Sequence, residues 1–136
     1  MSTTTEESKL VARNFYEAYN SKDLHSSFDK YISKDLVNRA MGGAATRQFW
    51  LDSDIAALAA IPDLRSTILD QVAEENKVFT RWVFEGTHTG SFFGAPASGK
   101  PIRLEAVTID VVKDGQIVEH DIVADFTPFM QQLQNS

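Results

Sequence analysis

The chain has 136 residues and no cysteine. Its length fits one domain that buries a core without metal or disulfide support, and the missing thiols exclude disulfides, thiolate catalysis and cysteine-ligated zinc. There are 13 basic and 19 acidic residues, a formal charge of −6, so we expect no nucleic-acid or membrane partner, since both require clustered Lys and Arg. No targeting segment or long apolar run is visible, which favours a cytoplasmic protein.

The first residues of the chain have the pattern of two helices. Residues 1–5 are predicted to be a disordered polar tail, and apolar residues at helical spacing predict a first helix over Glu6–Asn20. Asp23 is the expected N-cap of a shorter second helix that ends near Ile32.

A short strand and a third helix are predicted next. Leu36–Arg39 has the composition of a short strand and is followed by a loop of small residues. Thr46 is the expected start of the third helix, and Pro62 ends it because proline cannot continue a helix.

The second half of the chain changes to the period of β-strands. Four strand-like runs are predicted: Leu64–Glu74, Lys77–Thr89, Pro101–Lys113 and Gln116–Phe126. Asp114-Gly115 between the last two runs is typical of a tight hairpin turn. Helices first and strands afterwards indicate a single α+β domain over residues 1–136, in which a curved, mostly antiparallel sheet wraps around helices and leaves a pocket in its concave face.

The last strand carries ionisable residues among apolar ones. His120, Asp121 and Asp125 lie in a run that is otherwise rich in Ile and Val, where an ionised group is costly unless it is paired or functional. With a side-chain period of two, Asp121 and Asp125 share one face and His120 lies on the other. These three residues are the candidate catalytic groups. The alternatives are that the acids are solvated at the strand end and that His120 is structural.

Several short phrases of the sequence are specific enough to compare with known families. They are Phe15–Asn20, Lys22-Asp23-Leu24, Trp82–Gly90, Phe93-Gly94, Pro96, Ser98-Gly99-Lys100, Asp114–His120, Asp125 and Gln131-Gln132-Leu133. Together they span nearly the full chain and resemble the SnoaL-like polyketide cyclases, which belong to the nuclear transport factor 2-like superfamily of cone-shaped α+β barrels.

The resemblance implies an enzyme without cofactor or metal that closes a ring in a polyketide-like substrate by intramolecular aldol chemistry, or isomerises it. A carboxylate on the last strand acts as the base, and Asp125 corresponds to it by position. Asp121 stands where family members commonly have Trp, and Thr108 stands where some cyclases have His.

The expected substrate contacts combine aromatic walls with a few polar groups. They are Phe15, Tyr19, Asn38, Trp50, Trp82, His88, Phe93 and Thr108. Asn38 has an equal interpretation as a turn residue, and His88 has one as a residue that fixes its loop.

Other functions remain open at this stage. The alternatives are a non-catalytic protein that binds a small hydrophobic molecule, and a hydroxylase or epoxide hydrolase of the same fold. Val107, Ile109 and Val111 would leave the convex face of the sheet apolar. We therefore expect a homo-oligomer, a dimer or tetramer formed through the sheet.

Overall fold

The computed structural model describes residues 3–43, 45–92 and 94–134. Within them the chain forms four α-helices, two short 3₁₀ helices at Ala18–Ser21 and Ala40–Gly43, and one five-stranded sheet. The helices are α1 (Thr3–Glu17), α2 (Leu24–Tyr31), α3 (Arg47–Ala60) and α4 (Thr127–Gln134). The strands are β1 (Ile32–Asn38), β2 (Arg65–Glu74), β3 (Lys77–Thr87), β4 (Pro101–Lys113) and β5 (Gln116–Val123).

The sheet has the strand order β1-β5-β4-β3-β2. Its four later strands pair antiparallel in sequence order, and β1 joins the edge by pairing parallel to β5. The α+β class and the mostly antiparallel sheet are confirmed. No helix in the described part of the chain is long and apolar enough to cross a membrane.

The predicted N-cap of α2 is present, and the predicted start of α3 is also capped. The side chain of Asp23 accepts a hydrogen bond from the backbone N–H of Ser26 at 3.1 Å, and Thr46 accepts one from Phe49 at 3.0 Å. Each cap satisfies a backbone donor that the first turn of a helix leaves free.

Several boundaries differ from the prediction, among them the end of the last strand, which is Val123 and not Phe126. The first helix already begins at Thr3, and Thr5 is buried, so residues 3–5 belong to the fold, while residues 1 and 2 lie outside the described residues. Ile32 begins β1 and does not end α2. It pairs with Ile117, and both side chains are fully buried. A β-branched residue such as Ile32 favours an extended backbone, and the burial of its side chain stabilises this conformation.

The core lies between the concave face of the sheet and the helices. A cluster of aromatic rings on α1 and α2 packs there edge to face, with Phe15 at its centre. Trp82 and Val78 supply the sheet side of the same cluster. This packing fixes α1 across the sheet.

Gly86 lets the chain after α3 approach β3 closely. A Cβ at Gly86 would lie 2.3 Å from Ile61 Cγ2 and 3.2 Å from Leu64 Cα. Asp63 holds the same contact from the other side, because its carboxylate accepts hydrogen bonds from the N–H and the hydroxyl of Thr87. Close packing therefore requires glycine at position 86, the first residue of the Gly-Thr-His-Thr-Gly phrase.

We expect Gly86→Ala to lower the free energy of unfolding by about 1–3 kcal/mol, because the added methyl group overpacks the turn at Ile61–Leu64. Urea unfolding followed by fluorescence measures the effect. Thr89→Ala, at an exposed position of the same segment, is the control and should be nearly neutral. Equal stability of Gly86→Ala and the wild type would contradict the close packing.

Candidate active site

A cavity of about 470 Å³ lies between the concave face of the sheet, α1 and α3. This is within the usual range for small-molecule sites. Its walls are largely aromatic and aliphatic, and they include Trp50, Trp82, Phe84, Ile61, Leu104 and Phe129. Its polar lining includes Tyr16, Tyr19, Asn38, Asp54, Thr108 and His120.

A β-bulge in β5 determines which side chains reach this cavity. Val112 pairs with Ile117, whereas Val111 pairs with Glu119. One residue of β5, Val118, is therefore extra, and every residue after it is shifted by one position against β4.

The shift turns His120 toward the interior. Ile117 and His120 are both buried although they are three residues apart, which an unbroken period of two would not allow. His120 pairs across the ladder with Asp110, and its Nδ1 lies 2.7 Å from Asp110 Oδ1. Asp110 is fully buried.

Asp110 has a second hydrogen bond. The hydroxyl of Tyr16 donates to Asp110 Oδ2 at 2.7 Å. A carboxylate only accepts, so Nδ1 of His120 carries the proton in its bond to Asp110, and Nε2 is the ring nitrogen that remains for a ligand. Burial, followed by the charge of Asp110, raises the pKa of Tyr16 well above its usual value, so the hydroxyl stays a donor at neutral pH.

Neighbouring groups fix the plane of the imidazole. Trp50 stacks on His120 with ring centroids 3.9 Å apart and 12° between the planes. Asn38 pairs with His120 across β1 and β5. Its Oδ1 accepts from the N–H of Ala40 at 3.0 Å, so the amide orientation is set and Nδ2 is left as a donor beside the cavity.

Asp54 is the other acid on the cavity wall. It lies one helical turn after Trp50 on α3, and residues four apart share a helix face. The hydroxyl of Tyr19 donates to Asp54 Oδ2. Burial raises the pKa of Asp54 to about 6, although the Tyr19 hydrogen bond and the charge of His120 act in the opposite direction. A carboxyl group with this pKa exchanges protons near neutrality.

The structure places the two predicted acids of the last strand elsewhere. Asp121 pairs with Ile109 on the outer face of the sheet, opposite to His120. Asp125 follows β5, is exposed, and accepts a hydrogen bond from the N–H of Thr127 at 3.0 Å at the start of α4. Neither lines the cavity, and the expected apolar surroundings of Asp125 are not found.

The predicted binding residues divide into three groups. Tyr19, Asn38, Trp50, Trp82 and Thr108 line the cavity. Phe15 lies in the aromatic core and does not line the cavity. His88 does not line it either: the residue is fully buried in its own loop, with Nδ1 3.2 Å from Ser98 Oγ. Phe93 lies outside the described residues.

Three site residues were missed from sequence: Tyr16, Asp54 and Asp110. A signal existed for Asp110, because it is a single acid in the β-branched run Val107–Val112 that the hairpin brings close to His120. Asp54 had a weaker one, its spacing of four from Trp50.

Among the described residues, no three His, Asp or Glu side chains are grouped so that they could hold a metal ion. A second, more open depression of about 640 Å³ lies between α1 and the turns at Glu75-Asn76 and Asp114-Gly115. It has no aromatic wall, so the candidate site is the first cavity.

Fold and cavity together define a small α+β protein with ionisable groups on the wall of a largely hydrophobic cavity. The model of the SnoaL-like polyketide cyclase family matches residues 9–133, and the chain belongs to this family. The resemblance seen in the sequence is confirmed. A search among curated protein sequences gave no match.

Solved structures of the same fold agree. IdmH of Streptomyces antibioticus, a candidate polyketide cyclase, is 32% identical over 93% of this chain and 97% of its own, with a TM-score of 0.79. AclR of Streptomyces galilaeus, a candidate hydroxylase, is 26% identical over 95% of this chain and 96% of its own, with a TM-score of 0.87. A SnoaL-like protein of Jannaschia sp. CCS1 is 15% identical with a TM-score of 0.85, covers 100% of this chain and 97% of its own, and supports the fold alone.

The raised pKa of Asp54 predicts a dependence of stability on pH. An unfolded Asp has a pKa of about 3.9, so between pH 4 and 6 the folded state binds more protons than the unfolded state. The contribution of Asp54 to the free energy of unfolding therefore falls as pH rises through this window and is constant above it.

Chemical denaturation of the wild type and of Asp54→Asn, from pH 4 to pH 7, tests this. The wild type should lose stability relative to the variant up to about pH 6. Asp52→Asn, which alters an exposed acid of the same helix, should run parallel to the wild type. A pH-independent difference between the wild type and Asp54→Asn would contradict the assignment.

Proposed function

We propose that this protein is a cofactor-independent enzyme that closes a ring in a hydrophobic, polyketide-like substrate by intramolecular aldol chemistry. Asp54 is the base and His120 is the proton donor. Asp110 and Tyr16 position His120. One observation carries the proposal. A carboxyl group whose pKa is about 6 and a histidine held by a buried carboxylate lie on the wall of the same hydrophobic cavity.

The reaction begins at a carbon between carbonyl groups. Asp54 is largely ionised at pH 7 and removes a proton from that carbon, which leaves an enolate. The enolate carbon attacks a second carbonyl carbon of the same molecule, and a carbon–carbon bond forms while the carbonyl becomes an alkoxide.

His120 completes the step. Its protonated ring gives the Nε2 proton to the alkoxide, and the proton on Asp54 then returns to the imidazole, so the protein is restored with no atom gained or lost. Asp110 carries the opposite charge and is 2.7 Å from Nδ1, so it orients the ring and stabilises its positive form.

The cavity walls hold the substrate in a folded shape. Trp82 and Phe84 stack with centroids 4.2 Å apart and give a flat surface for a planar ligand. The Asn38 amide supplies a donor to a substrate carbonyl. Positioning of both reacting carbons in one cavity is itself a large part of the rate enhancement in such reactions.

Turnover of a panel of aromatic poly-β-ketones, followed by mass spectrometry and absorbance, tests the roles. Asp54→Asn and His120→Gln should each lower kcat by about 10²–10⁴, with the fold intact by circular dichroism. Asp52→Asn is the matched control on α3 and should retain wild-type turnover.

Asp125→Asn decides between the two candidate bases. Loss of turnover in Asp125→Asn, with full turnover in Asp54→Asn, would assign the base to the exposed carboxylate and overturn this proposal. Binding of the polyketones without conversion by the wild type would favour a carrier protein.

A hydroxylase is the second candidate, because AclR, which shares the fold over nearly its full length, is described as a candidate hydroxylase. The two reactions differ in their need for oxygen. Ring closure by Asp54 and His120 continues in anaerobic buffer, whereas hydroxylation by molecular oxygen stops.

We further propose that copies of the chain associate through the outer face of the sheet. Phe79 pairs there with Val72 on β2 and with Ile109 on β4. Val72 and Val123 are 61% and 60% exposed. Such an apolar surface is usually covered in solution.

Light scattering of the purified chain should therefore give a mass above that of one chain, and Phe79→Glu should lower it because a charge enters the interface. Leu10→Glu, at an exposed position of α1, should leave it unchanged. A monomeric wild type at all concentrations would contradict the association.

A further inference from the structure

We propose that Phe49 and Phe126 form the mouth of the cavity and select substrates that are too long to be enclosed. Both rings line the cavity. Both are also exposed, Phe49 to 49% and Phe126 to 44%. An aromatic ring with one face on a cavity and the other in water marks the boundary between the two. This inference rests on the proposed use of the cavity for a planar, polyketide-like substrate.

The two rings are separate from the reacting groups. Phe49 precedes Asp54 by five residues on α3, which places it about 7–8 Å away along the helix axis. Phe126 follows His120 by six residues, beyond the end of β5. A ligand whose reacting carbon lies at Asp54 reaches the mouth only if it extends beyond that distance.

The surroundings of the mouth identify the chemistry of the outer part of the ligand. Ser53 and Phe92 also line the cavity, and no Lys or Arg side chain appears in its lining among the described residues. Ionisable lining groups are acids, tyrosines and His120. The two exposed rings therefore fit an uncharged aromatic or aliphatic portion of the substrate. They cover this portion where it leaves the cavity.

The exposure of these rings is not a general property of the surface. The other large exposed hydrophobic residues of the described chain are Leu10, Val37, Leu69, Val72, Phe79 and Val123. None of these six lines the cavity. The rings at positions 49 and 126 are exposed where a ligand would cover them.

Equilibrium binding of two uncharged ligands of different length tests this, followed by the fluorescence of Trp50 and Trp82, which both line the cavity. The ligands are a two-ring naphthol and a linear four-ring naphthacenequinone. Phe49→Ala and Phe126→Ala should each weaken binding of the four-ring ligand about tenfold, the scale of one lost aromatic contact. Both should leave naphthol binding within about twofold of the wild type.

Leu10→Ala is the control, since it removes an exposed apolar side chain of α1 that does not line the cavity, and it should leave both affinities unchanged. Equal losses of affinity for both ligands would show that the rings only support the cavity. Unchanged affinity for the four-ring ligand would show that the rings do not contact it. Either result overturns the inference. This measurement does not depend on turnover. If Asp54→Asn retains activity while the loss of affinity depends on ligand length, the proposed mechanism is rejected and the role of Phe49 and Phe126 at the mouth is supported.

Discussion

One extra residue in β5 is the constraint on which the rest of the site depends. In an antiparallel pair each side chain is committed to one face by its register, and a shift by one residue exchanges the faces. The bulge at Val118 makes this exchange between Ile117 and His120, and both side chains are then buried. Without it, Glu119 would oppose Asp110, and a carboxylate would face a buried carboxylate, an arrangement of high electrostatic cost.

The charges in the interior are stabilised in pairs. Asp110 is fully buried and has two hydrogen-bond donors, Tyr16 and His120. Asp54 has the Tyr19 hydroxyl. Tyr16 on α1 and Tyr19 in the 3₁₀ helix that follows it directly are three residues apart, and each supplies a hydroxyl to one acid. The position of this continuous helical segment across the sheet thus sets the environment of both carboxyl groups.

The two acids have different surroundings. Asp110 has two hydrogen-bond partners, Tyr16 and His120, and its contact with Nδ1 orients the imidazole ring. Asp54 has hydrogen bonds from the side chains of Tyr19 and Trp50 and lies on the wall of a largely hydrophobic cavity, and burial raises its pKa to about 6. Separation of roles between two carboxyl groups by environment is a common basis of acid/base catalysis. Family membership alone does not provide this assignment, because relatives of the fold carry different names and reactions.

The sequence by itself determined the elements that depend on local rules. The cap at Asp23, the start of the third helix at Thr46, the hairpin at Asp114-Gly115 and the α+β order follow from residue chemistry within a few positions, and the family was recognisable from short phrases. Asn38, Trp50 and Trp82 were identified as candidates for the cavity, where the structure places them.

The tertiary structure decided which acids face inward. The sequence analysis favoured Asp121 and Asp125, which an unbroken period of two places on one face of the last strand; in the structure Asp121 lies on the outer face of β5 and Asp125 lies beyond its end. The bulge, the parallel partner β1 and the contact of Asp54 with the cavity depend on residues far apart in the chain. They arise from packing between elements, which no local pattern encodes, and so Asp54, Asp110 and Tyr16 became visible as a site only in the folded molecule.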